Sequence, residues 1–216
     1  KTFLSDVNLL RDNINLGYRA SDESIQMAEE SGDIYSRSIA YIIHGFSCIG
    51  KGFFPEAEKY LLNGINFCER INFFIWNYLA HDLLGEMYFE LREYGKCRSC
   101  YEKAICFVEQ AEFGPSRVNY LRIELARAKV MSNERDINLE ALHSYVRENK
   151  IRELDGPMRR FIGEILLNID HQHMSEAEDW IQKGIDADQR NGMMFHLGKD
   201  YALYAELFKR KGDRVE

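Results

Sequence analysis

Nowhere along this chain do apolar and polar residues alternate for long enough to make a half-buried strand, and only three prolines, at 55, 115 and 157, interrupt it. The pattern predicts helices throughout, over about 2–11, 14–31, 34–50, 54–71, 74–91, 94–112, 116–131, 136–150, 158–170, 175–190 and 194–211. Pro55 falls at a helix start, where its missing N–H costs nothing, and Gly52 lets the preceding helix end. Ser175 with Glu178 fits a capping box.

The helices repeat with a period of 40 residues. Small residues fall at Gly45, Gly85 and Ala205, with Leu125 and Ile165 as larger substitutes between them. A second slot holds Ala57, Cys97 and Ala177, and a third holds Ser24, Gly64, Ala104, Ser144 and Gly184. Large residues keep the same phase at Phe54, Tyr94 and Met174, and at Tyr41, Leu121, Phe161 and Tyr201. Helix breakers share it as well: Gly32, Asn72, the turn from Glu112 to Pro115, the turn from Arg152 to Pro157, and Gly192. Each unit therefore reads as two antiparallel helices that cannot bury their apolar faces alone, so neighbours must stack.

At these residues the chain resembles the tetratricopeptide repeat family. His81, Leu84, Gly85, Tyr88, Tyr94, Cys97, Tyr101 and Ala104 match its pattern best, followed by Tyr41, Gly45, Cys48, Phe54, Ala57, Leu61 and Gly64. The fifth unit keeps Phe161, Ala177, Ile181 and Gly184 without a first-helix glycine, and the fourth has Glu134 where an aromatic residue is expected. The resemblance implies an all-α fold, a right-handed α-solenoid of antiparallel helix pairs with about five repeats plus a half repeat. As one repeat domain over 1–216, its units would be 1–33, 34–73, 74–113, 114–153, 154–193 and the half unit 194–216. The 40-residue variety resembles regions of large bacterial signalling proteins. The stretch from Asp188 to Gly212 is similar to C-terminal repeat regions of bacterial class III adenylate and guanylate cyclase proteins that also carry an ATPase module. The chain begins at Lys1 without an initiator methionine, and the expectation is a fragment of a longer multidomain protein.

Composition narrows the function. With 45% hydrophobic and 29% charged residues the chain can bury a sizeable core, and no apolar run approaches the roughly 18 residues of a membrane span. A net charge of −7 argues against a nucleic-acid partner. Five cysteines at this density, with no signal-peptide layout, point to reduced thiols and a cytoplasmic location.

Candidate chemistry is sparse. Gly45 to Lys51 satisfies the first seven places of a phosphate-binding loop but has Gly52 where Ser or Thr would hold magnesium, and it lacks the preceding strand. Cys97 and Cys100, with Cys106 nearby, could suggest metal or redox chemistry, but Cys97 sits in a packing slot and no second pair exists. His171 and His173 with Asp170 form either a weak metal site or solvated turn residues; His44 and His81 read as spacers between helices. No catalytic triad or carboxylate pair stands out, so the expectation is a non-enzymatic chain with no cofactor and no metal.

The resemblance places binding on a concave groove lined by the first helix of each unit. That groove would hold Ile39, Ile42, Phe46 and Ile49, then Leu79, Asp82, Glu86 and Phe89, then Asn119, Arg122, Ala126 and Lys129, then Arg159, Ile162, Leu166 and Ile169. It would run from apolar through acidic to basic, or these residues are solvated and neighbour-packed faces. Ile42 and Asp82 stand where chaperone-tail binders of the family need basic or amide groups. The implied function is a scaffold for a protein or peptide partner, or for other domains of its own parent chain. Alternatives are a sensor segment coupled to a nucleotide cyclase or ATPase, or the effector domain of a transcriptional regulator. The last helix carries Phe195, Leu197, Tyr201, Leu203, Tyr204, Leu207 and Phe208, an apolar edge suited to self-association.

Overall fold

The computed structural model describes residues 13–170 and 172–212; the helix expected over 2–11 and His171 lie outside them. The described residues form ten helices and no strand: α1 Ile14–Ser31, α2 Ile34–Gly50, α3 Phe54–Arg70, α4 Phe74–Glu90, α5 Tyr94–Gln110, α6 Pro115–Met131, α7 Leu139–Arg147, α8 Arg152–Ile169, α9 Met174–Asn191 and α10 Met194–Gly212. None is long and apolar enough to cross a membrane. The chain divides into two compact units, Lys1–Gly114 and Pro115–Glu216. Inside each, consecutive helices pack on one another, most extensively within the pairs α2–α3, α4–α5 and α8–α9. This is the paired, neighbour-stacked arrangement expected of a helical repeat.

The regularity of the first unit comes from its turns. Helices α2 to α5 are each 17 residues long. A residue with left-handed backbone recurs every twenty positions, at Gly32, Gly52, Asn72, Arg92 and Glu112, with φ from 50° to 74°. The N–H of the residue after it bonds back into the finished helix, as in Phe53 to the Cys48 carbonyl, Phe73 to Cys68 and Glu93 to Tyr88, each at 2.9 Å. Glycine adopts this conformation freely, whereas Arg92 and Glu112 accept a strain of roughly 1 kcal/mol in exchange for closing the helix end.

Small slots let the paired helices approach. Gly45 lies against the side chain of Leu61, Gly64 against Ile42, and Gly85 against the ring of Tyr101, and all six of these residues are buried. In the second unit the equivalent contact is Gly163 against Ile181. The fifth unit therefore does have its first-helix glycine, two residues before the phase that Ile165 occupies. The slip arises after the glycine: Gly45 and Gly85 stand nine residues before their second helices begin, and Gly163 stands eleven before α9. Ile165, Phe161, Ile162 and Leu166 are all core residues of this unit, with Met158, Ile181 and Ile185.

Two local expectations are corrected. The turn placed at Arg152 to Pro157 is helix: α8 starts at Arg152 and runs through Pro157. Pro157 is the sixth residue of that helix; its ring removes the bond to the Glu153 carbonyl and crowds that group, a cost set against the burial of Leu154, Met158 and Phe161 beside it. The capping box at Ser175 does not form, since α9 begins at Met174 with His173 as N-cap and no side-chain cap, and Glu178 instead accepts a bond from Lys211 of α10. Real side-chain caps occur where Asp33 accepts from the Ser36 N–H at 2.8 Å and Asn138 from the Ala141 N–H at 3.0 Å.

Candidate functional site

In the first unit, α4 is enclosed on nearly every side, burying Tyr78, Ala80, His81, Leu83, Leu84, Gly85, Met87, Tyr88 and Phe89. Beyond Phe74 and Trp76 in its first turn, what remains accessible is one line at helical spacing: Ile75, Leu79, Asp82, Glu86 and Glu90. Helix α2, which touches α4, leaves Tyr35, Ile39, Phe46 and Ile49 at least partly accessible. The two lines meet at their starts, where the Tyr35 ring lies 5.5 Å from Phe73, and Phe73 lies 6.5 Å from Trp76. Tyr35 is 52% exposed and Ile75 40%, which leaves an aromatic–aliphatic patch at one end of a strip that turns acidic along α4.

Phe46, Asp82 and Glu86 thus sit on accessible faces, as the repeat phase expects. Ile42 and Phe89 do not. Ile42 is wholly buried, because it fills the notch left by the missing side chain of Gly64; Phe89 packs edge-on to Tyr94 at 5.5 Å. The signal for Ile42 lay in the sequence: a glycine in a packing slot requires a large residue opposite it.

In the second unit, Arg122 is exposed and lies 5.8 Å from the Tyr145 ring, and Lys129 shares its side of α6 at half exposure. Asn119 is buried and donates to the Glu148 carboxylate at 3.5 Å, and Arg159 is held by Asp155 at 2.9 Å. Ala126, Ile162 and Leu166 are core, so of the expected basic lining Arg122 and Lys129 are the two on an accessible side of α6. Asp155 also meets Arg190 at 3.3 Å, beside a cavity of about 220 Å³ lined by Asn149, Lys150, Ile151, Arg152, Asp155, Arg190 and Asn191.

Sequence reasoning missed the buried charges of this unit. Arg127 of α6 bonds Glu164 of α8 at 2.6 Å while its guanidinium lies over the Phe161 ring. Arg160 of α8 bonds Asp200 of α10 at 2.9 Å, both fully enclosed. Asp188 of α9 lies against Gly156, where any side chain would collide with its carboxyl, and against Asp200. Burial first, then the charge of Asp200 beside it, push Asp188 up to about 8. Asp188 therefore takes up a proton more readily here than it would in water. With both acids fully buried, this cluster is a tie between α8, α9 and α10.

The remaining motifs are packing features. Gly45 to Lys51 is the last part of α2 and its C-cap, with Lys51 donating to Asn15 at 2.8 Å. Cys97 and Cys100 are buried in α5, and burial pushes Cys100 up to about 11. His44 stands between the Tyr18 and Tyr60 rings and pairs with Ser21 at 2.9 Å; His81 stacks on Phe107, and burial with the Lys103 charge pushes it down to about 4. His173 bonds Asp170 at 2.8 Å across the turn. Among the described residues no group of three or more His, Cys, Asp or Glu is placed to hold a metal. No family model matches the chain, and no curated protein is significantly similar to it.

Proposed function

We propose that this chain is a non-enzymatic interaction module of the helical-repeat kind, and that the α2–α4 face of its first unit is the surface that takes a peptide or a segment of a partner protein. The observation that carries this reading is the composition of that face. Tyr35, Phe73, Trp76 and Ile75 supply large rigid side chains of the kind that dominate binding energy, and they stand at the head of a line that continues into Asp82, Glu86 and Glu90. A ligand fitting it carries an aromatic or aliphatic anchor followed by basic residues. The apolar part supplies affinity, and the acidic part supplies orientation and speed of encounter. The role as a scaffold in a signalling protein follows from the resemblance to repeat regions of such proteins, with a cyclase, ATPase or DNA-binding domain elsewhere as the alternative settings.

Selection of displayed peptides against the chain tests this. The enriched sequences should combine large apolar anchors with Lys or Arg, bind less tightly as salt rises, and lose binding to a variant carrying Tyr35→Ser and Trp76→Ser that keeps its helical circular dichroism. Selection that yields no specific binder, or binders indifferent to both salt and the double substitution, would overturn the reading.

A further inference from the structure

The apolar edge expected along α10 is largely spent within its own unit: Leu197 and Leu207 are buried, and Leu203 and Tyr204 pack against the core. The polar cavity of the same unit is different, because its walls carry charge that the fold does not use. It lies where the link from α7 to α8 meets the last turn of α9. Hydrogen bonds fix those walls. Asn149 closes a small loop, donating to the Ile151 carbonyl at 2.8 Å and accepting from the Ile151 N–H at 3.0 Å. The Lys150 N–H donates to Ser116 of α6 at 3.0 Å, and Asn191 donates to the Arg152 carbonyl at 2.9 Å. The backbone of both walls is thereby set before any ligand arrives, which lowers the ordering cost of binding.

Three cations and one carboxylate line the space: Lys150, Arg152, Arg190 and Asp155. Asp155 is matched by Arg159 at 2.8 Å and meets Arg190 at the longer distance of 3.3 Å. The acidic residues next along the chain are engaged elsewhere: Glu148 accepts from Asn119 and Ser144, and Glu153 meets Arg117 at 3.6 Å. Among the described residues, Lys150 and Arg152 have no carboxylate within ion-pair reach. The lining therefore carries a net excess of two positive charges, on a chain whose total is −7. One carboxylate ligand would answer half of that excess. A phosphate monoester, close to doubly charged at neutral pH, answers all of it, and its oxygens accept bidentate bonds from a guanidinium and a point charge from an ammonium. The volume of about 220 Å³ lies below the roughly 300–1,000 Å³ of sites for drug-sized ligands, so it suits a phosphate on a short carbon chain better than a whole nucleotide.

We propose that this cavity binds a small, free phosphate monoester, with Lys150 and Arg152 of the α7–α8 link and Arg190 of α9 closing on its dianionic head. Arg190 exchanges its longer contact with Asp155 for the phosphate, and Asp155 keeps Arg159. The site belongs to the second unit and stands independently of the function proposed for the α2–α4 face.

Calorimetric titration of the 216-residue chain with inorganic phosphate, glycerol 3-phosphate and acetate at neutral pH tests this. Both phosphates should saturate a single site, and acetate should bind about tenfold more weakly or worse. Lys150→Ala with Arg152→Ala should lower phosphate affinity about tenfold or more while the helical circular dichroism persists. Lys59→Ala with Lys103→Ala removes the same charge from exposed positions of the first unit and should leave binding unchanged. Asp155→Asn takes a repelling charge out of the lining, so it should tighten binding, a direction that damage to the fold would not give. A short peptide carrying one phosphoserine should bind more weakly than glycerol 3-phosphate; tighter binding would assign the head to a modified partner protein and overturn the small-molecule proposal. No saturable binding at millimolar phosphate, equal losses in the two double variants, or weaker binding by Asp155→Asn would each overturn the site itself.

Discussion

Substituting Gly85 by alanine should destabilise the chain, although the same change in an open helix stabilises it. The added Cβ would lie 2.4 Å from Cε1 of Tyr101, 2.7 Å from Cδ1 and 2.9 Å from Cζ. Carbon atoms in contact prefer about 3.5 Å or more, so the ring must move by roughly 1 Å or the helices must part. Tyr101 has no exposed surface, so its ring is hemmed in by the core. Overpacking of this kind costs about 1–3 kcal/mol. Exchange of a mid-helix glycine for alanine returns about 1 kcal/mol. The net loss is up to about 2 kcal/mol, and each kcal/mol lowers the melting temperature of a unit of about 100 residues by roughly 4–8 °C. Gly95→Ala is the control, since nothing lies within 4 Å of that position and only the propensity gain should be seen. Gly45→Ala should fall between the two, because it meets Cγ and Cδ2 of the aliphatic Leu61 side chain at 2.7 Å and 2.8 Å in place of a ring, with the Leu61 backbone N at 3.3 Å. Thermal melts followed at 222 nm rank the three variants. A Gly85→Ala protein that melts at or above the wild type would refute the close approach of α4 and α5 from which the argument starts.

The remaining predictions concern buried ionisable groups. Asp188 holds its proton more tightly folded than unfolded, so its contribution is most favourable below its ordinary value near 3.8 and is lost as pH rises toward about 8. The urea midpoint of the wild type should therefore fall across that interval relative to Asp188→Asn, and parallel pH profiles for the two proteins would contradict the assignment. Of the five thiols, Cys106 is exposed and Cys48, Cys68, Cys97 and Cys100 are buried, with burial pushing Cys48, Cys68 and Cys100 up to about 11. Ellman's reagent should titrate one thiol quickly in the native protein, and Cys106→Ser should remove that fast phase; several fast thiols would show the core of the first unit to be open.

Much of this architecture was legible in the residues themselves, because helix length and turn position are local properties. Gly32, Gly52, Asn72 and Gly192 mark helix ends by backbone conformation alone, and the glycine slots at 45, 64 and 85 declare close crossings whatever surrounds them. Accessible faces on α2, α4 and α6 followed from the same phase, which put Phe46, Asp82, Glu86, Arg122 and Lys129 outward. What periodicity could not supply is the identity of the neighbour. Ile42 and Asn119 share the outward phase and are buried, the first by the notch at Gly64 and the second by the end of α7. Pro157 looks like a breaker until its place near the start of α8 is known. The tie of Arg160, Asp200 and Asp188 joins three helices across 40 residues of sequence, and each member reads locally as an ordinary surface charge. Sequence spacing fixes which residues share a side of a helix. Only the packing of one helix on another decides which sides lose their water, and with it which charges must find partners and which apolar stripes are left to seek them.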